Sequence, residues 1–243
     1  CPLAARPRSE DVYAVEAWQN SLFYAKQVAQ YAEYSVYAAA LQEQDPKKRV
    51  AMIEKFLEIY PKSEYAPQVE AQRFDAYRAT GDEAAILKLA KEESAKNPNN
   101  EDMLLLLAND AFKNKDVDAV VDYSTKLIDL MEKKPKPDNV DQATWDNKKQ
   151  TLTGVAYYMR GMTKYSEQDL LNALPAAENN PEMKGEILFT VGLNNYRYGE
   201  KANNTDAILA AVKYFQQCAA VKSRYQAQAN TNLRAIRARY RIR

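Results

Sequence analysis

The chain has 243 residues, 46% of them hydrophobic and 28% charged, with a net charge of +1. That is enough apolar material for a substantial core, and no apolar run reaches the 18 residues that would suggest a membrane-spanning helix. With no histidine at all, imidazole bases, Ser-His or Cys-His nucleophiles and the usual zinc frameworks are excluded.

Six glycines and ten prolines, the prolines falling mostly between apolar-periodic segments, point to long helices joined by short turns, an all-α fold. Residues 1–9 hold two prolines and no period, which predicts a loose tail. Ser9 then caps a helix with Glu10 and Asp11 in its first turn. An N-terminal cysteine can mark a lipid-modified mature start, but Pro2 directly after Cys1 departs from the usual lipoprotein junction, so lipidation is not expected. From Asp11 to Gln44, Trp18, Leu22, Ala25, Ala29, Ala32, Val36 and Ala39 recur at steps of four and three. This predicts one long helix, or two broken near Asn20-Ser21. Asp45-Pro46 restarts the chain with proline at a first helical position, and Val50, Ile53, Phe56, Leu57 and Tyr60 line the next helix. Pro61 ends it, and Ser63 is expected to cap its successor.

Val69, Arg73, Phe74 and Tyr77 line a helix closed by Thr80-Gly81-Asp82, with Gly81 as a left-handed cap. Its partner runs from Ala85 to Lys96 and stops at Asn97-Pro98-Asn99-Asn100. Leu104, Leu107, Ala108, Ala111 and Phe112, then Val120, Val121, Tyr123, Leu127 and Leu130, form a further helix pair whose turn has Lys115 where glycine is usual. Glu132 to Thr144 is too polar to pack and is predicted to be a surface connection or an extra turn, not a domain boundary. Gly154, Tyr157 and Gly161 have the same spacings as Gly192, Asn195 and Gly199. Between them lies a helix, Glu167 to Asn179, that Pro175 should kink or whose last turn it should begin, with Asn180-Pro181 closing it. A seven-residue turn insertion is expected at Glu200–Asp206. Ala211 to Cys218 makes an amphipathic helix with Cys218 on its small-residue seam, a position for a buried, inert thiol. Tyr225, Ala229, Leu233, Ile236 and Tyr240 form the apolar stripe of a last helix.

These paired helices resemble tetratricopeptide repeats, helix-turn-helix units of about 34 residues that stack into a right-handed solenoid. Tyr77 and Gly81 match the family's tyrosine and glycine positions, and Pro61 to Pro98 is one period. The run from Phe56 through Tyr60-Pro61 to Tyr65-Ala66 looks like the inter-repeat turn of bacterial envelope repeat proteins. The resemblance covers roughly residues 30–222. It implies a single domain over residues 10–243, with units about 21–61, 62–98, 99–131, 144–181 and 182–222 and a capping helix over 223–243. It further implies a non-catalytic scaffold that holds a protein or peptide segment in its concave groove, without a cofactor or metal, in the periplasm or secreted, with the cytoplasm as the alternative. Carried over by position, the groove would be lined by Tyr31, Tyr34, Gln68, Gln72, Asp75, Arg78, Leu105, Asn109, Phe112, Thr151, Tyr158, Phe189, Tyr196 and Arg197. The lysine, asparagine and arginine clamp by which one subclass grips chaperone tails is not expected, since Leu105, Thr151 and Phe189 depart from it and Asn109 alone matches.

Charge supplies the alternatives. Lys222 to Arg243 carries seven basic residues and no acid, so the chain's net +1 leaves −6 for residues 1–221. Arg234, Arg237 and Arg241 form a basic patch that suits a solvated helix end or an anionic partner. Because that excess is confined to the last helix, no nucleic acid is expected. Self-association into a structural array is the other alternative.

Overall fold

The computed structural model describes residues 12–242. The expected Ser9 cap, the acidic residues after it, Cys1 and the last basic residue, Arg243, therefore lie outside the described residues. Among those described, the chain is all-α: eleven α-helices and one 3-10 segment, with no strand. They are α1 (Val12–Gln42), α2 (Pro46–Ile59), α3 (Ala66–Thr80), α4 (Glu83–Lys96), α5 (Glu101–Lys113), α6 (Val117–Lys133), α7 (Gln142–Lys164), α8 (Glu167–Ala173), the 3-10 segment Leu174–Ala177, α9 (Pro181–Ala202), α10 (Thr205–Ala220) and α11 (Gln226–Tyr240). The chain forms two compact units, one up to Leu89 and one from Ala90.

In the first unit, α1 is a single helix across Asn20-Ser21. Neither residue breaks it, because the Ser21 hydroxyl donates to the Ala17 carbonyl one turn back. The last turns of α1 pack Val36, Tyr37 and Ala40 against Ile53 and Phe56 of α2 and Val69 and Ala76 of α3. Each of the larger apolar side chains removed from water, Ile53, Phe56 and Val69, contributes about 1.5–3 kcal/mol. Asp45 caps α2, its carboxylate accepting from the Lys47 and Lys48 amides. Ser63 does not cap α3: its hydroxyl accepts from the Tyr65 amide, shaping the turn, and Tyr65 itself occupies the cap position without a side-chain bond. Gly81 adopts the left-handed cap at φ 70°.

In the second unit each helix from α5 onward packs on the next, and α5 also reaches α7. The core forms successive clusters, each shared by neighbouring helices. Leu104, Leu127, Ile128 and Trp145 belong to one cluster, Leu170, Ala173, Ile187 and Val191 to another, and Ile208, Phe215, Cys218 and Leu233 to a third. Pro175 lies in the 3-10 segment that ends α8, as its missing amide requires. Two sequence-based boundaries change. Helix α9 continues through Ala202, so the expected insertion shrinks to the two-residue turn Asn203-Asn204. The connection before α7 is confined to residues 134–141 and stays at the surface, tied down at two points: Lys134 bonds to the buried Glu101, and Lys136 bonds to the Pro137 and Val140 carbonyls. Pro135, Asp138, Asn139 and Asp141 are exposed and no residue of the connection is buried, as its polar composition predicts.

A 38-residue recurrence runs through this unit. Tyr165, Asn203 and Arg241, 38 apart in number, all adopt the left-handed conformation at φ 54°, 51° and 53°. The amide of each closes its helix on Gly161, Gly199 or Arg237. Ser166 and Asn204, again 38 apart, cap α8 and α10. Gly161 lies against Leu170 as Gly199 lies against Ile208, each too close to admit a β-carbon without movement.

Candidate functional site

In the second unit, helices α5, α7 and α9 and the residues leading into α11 bring aromatic side chains into a row. The Phe112 and Tyr158 rings lie 5.9 Å apart. The Tyr158 hydroxyl donates to one oxygen of Glu186 at 2.7 Å, and the Tyr225 hydroxyl donates to the other, also at 2.7 Å. Phe189 packs 5.4 Å from Tyr225 and 5.6 Å from Phe215. Arg224 lies 4.8 Å over the Tyr225 ring, donates to its hydroxyl and approaches Glu186 at 3.6 Å. Burial, and then the bond to Glu186, raises the Tyr158 and Tyr225 phenols above their ordinary value. Both therefore remain neutral donors at physiological pH. The result is a line of half-buried, mutually tilted rings, fixed by one doubly bonded carboxylate, with the exposed guanidinium of Arg224 at its edge.

Of the residues expected to line a groove, Phe112, Tyr158 and Phe189 join this row. Leu105 is half-buried between core clusters, and Asn109 is half-buried on the same helix. Tyr196 is half-buried, and its hydroxyl accepts from Arg239, which also pairs with Glu200 at 2.9 Å. Arg197 and Thr151 are exposed. In the first unit Tyr31 and Tyr34 are exposed. Gln68 accepts from the Tyr37 hydroxyl and Gln72 accepts from Arg49, so each spends its amide oxygen on holding α3 to its neighbours. Asp75 and Arg78 are exposed, with Arg78 5.9 Å over Phe74. On α11, Arg234 is exposed, Arg237 half-buried, and Arg241 forms the left-handed helix end.

Sequence reasoning missed Glu186, the residue that organises the row. Its partners stand 28 and 39 positions away, and no local pattern relates them. Arg160 was missed for the same reason: it makes a two-pronged pair with the buried Asp169 and also bonds to Thr125. Cys218 is buried, its sulfur 3.3 Å from the Gly185 carbonyl, and burial pushes its thiol up to about 11. It is not a nucleophile in the folded chain. Among the described residues no group of His, Cys, Asp or Glu could hold a metal ion, and no helix is long and apolar enough to cross a membrane.

No family model, curated protein or solved structure matches the chain.

Proposed function

We propose that the protein is a non-catalytic scaffold of the tetratricopeptide-repeat type that holds a peptide or protein segment against the aromatic row of its second unit. The observation that carries this reading is the Phe112–Tyr158–Glu186–Tyr225 row. Helices α5, α7 and α9 and the residue before α11 each contribute to one line of rigid rings, which supply contact area at little entropic cost. The 38-residue recurrence of caps and close glycines supports the repeat architecture, since each unit then buries its core against the next. A location in the bacterial envelope is part of the reading and rests on the Phe56–Ala66 turn run alone; cell fractionation tests it.

Selection from a displayed peptide library on the immobilised chain tests the binding reading. A selected peptide should protect α7 and α9 amides from hydrogen exchange, and Arg224→Ala with Arg197→Ala should weaken it by more than ~10-fold. Protection confined to other helices, or unchanged affinity, sinks it.

A further inference from the structure

Helix α1 carries a second, separate surface. Between Val12 and Ser35 the charged residues are Glu16, Lys26 and Glu33. Tyr13 is 85% exposed, Tyr24 65%, Val28 68%, Tyr31 74% and Tyr34 51%. A helix this apolar is ordinarily covered. The exposed residues are ordered. Ala14, Ala17, Ser21, Tyr24, Val28, Tyr31 and Ser35 follow one another at steps of three and four, a coiled-coil seam. The Ser21 and Ser35 hydroxyls donate to the Ala17 and Tyr31 carbonyls of their own helix, so both present as small, satisfied side chains. Glu16, Lys26 and Glu33 all fall outside the seam and its flanking positions.

We infer that this face pairs with the same face of a second copy, antiparallel and about a two-fold axis between Leu22 and Phe23. The seam is self-complementary in that register and the small residues gather at one end. Ala14 meets the second copy's Tyr31, Ala17 its Val28 and Ser21 its Tyr24, so each of these layers sets a small residue against a large one; Ser35 falls opposite position 10, outside the described residues. Flanking the seam, Tyr13 meets the second copy's Tyr34 and Asn20 its Gln27, a ring contact and an amide pair, and among the described residues no charge is buried. An isologous contact of this kind closes at two chains. Covering the exposed parts of the four tyrosines on both chains removes on the order of 1,000 Å² from water, the size of a specific interface. This pairing does not depend on the peptide-binding reading, because it uses none of the aromatic row of the second unit.

Light scattering and sedimentation of the full chain over a concentration series test the inference. The expected result is a monomer–dimer equilibrium that Tyr24→Glu with Tyr31→Glu weakens by more than ~10-fold, with unchanged circular dichroism because both side chains are exposed. Orientation is tested in a Cys1→Ser background with a short bismaleimide. Ser21→Cys should cross-link, since the two thiols are offset by about 5 Å along the axis. Ser35→Cys should not, since its thiols lie about 37 Å apart. A chain that stays monomeric at every concentration overturns the inference and leaves the face to a different partner. Equal cross-linking at both positions overturns the antiparallel register.

Discussion

Gly154 and Gly192 hold the same place in the sequence pattern but not in the packing. A β-carbon on Gly154 would fall 2.1 Å from the Ala176 β-carbon, whereas on Gly192 it would lie 3.1 Å from the edge of the Phe215 ring. Replacing a helical glycine by alanine gains about 1 kcal/mol of propensity. Forcing an extra carbon into a packed seam costs about 1–3 kcal/mol. Gly154→Ala should therefore destabilise the chain by about 1–2 kcal/mol and Gly192→Ala should be close to neutral, as read from urea unfolding midpoints. Tyr165 offers the reverse case: it is left-handed at φ 54° and 70% exposed. Relief of about 1–2 kcal/mol of backbone strain outweighs the extra freedom of an unfolded glycine, about 0.5–1 kcal/mol. Tyr165→Gly should raise stability by roughly 0.5–1 kcal/mol in the same measurement.

At the scale of elements, Glu101 at the start of α5 decides how the connection before α7 is held. Its carboxylate is buried and accepts from Lys134 and from Lys148, the latter at 2.9 Å. Burial alone would raise its pKa, but the two ammonium groups outweigh it and lower the value from 4.5 to about 2. A depressed acid stabilises the fold fully above its unfolded value and loses that contribution as pH falls through its folded value. The contribution, on the order of 2–3 kcal/mol, should be complete above about pH 4.5 and vanish between there and about 2. Glu101→Gln should flatten the stability profile across that window, and a slope unchanged by the substitution would place the titration elsewhere. The Arg160–Asp169 pair acts between α7 and α8, with 19% and 12% of its side chains exposed. Asp169→Ala leaves a guanidinium without its carboxylate and should cost about 3–5 kcal/mol in chemical denaturation.

For the whole molecule, α11 covers the last core cluster through Ala229, Leu233 and Ile236, and Cys218 lies beneath it. Thiol reactivity of Cys218 in a Cys1→Ser background should therefore be absent in the native chain. It should appear with the loss of helical signal on denaturation; labelling well before that loss would mean that α11 opens on its own.

The all-α class, the turns at Asp45-Pro46 and Gly81 and the buried state of Cys218 were legible in the sequence, while the helix expected to run to Asn179 stops at Ala173. Each follows from short-range rules: a proline without an amide, a glycine free to take positive φ, an apolar period of 3.6. The 38-residue recurrence was legible only in part, through its glycines, because its left-handed positions are filled by Tyr165, Asn203 and Arg241, and only asparagine among these signals that conformation. What the tertiary structure alone decided was which distant residues share a surface. Glu186 reaches Tyr158 and Tyr225 across three helices, and Glu101 reaches Lys134 and Lys148 over 33 and 47 positions. Such contacts depend on how helices are placed against one another, which the period of any single helix does not encode.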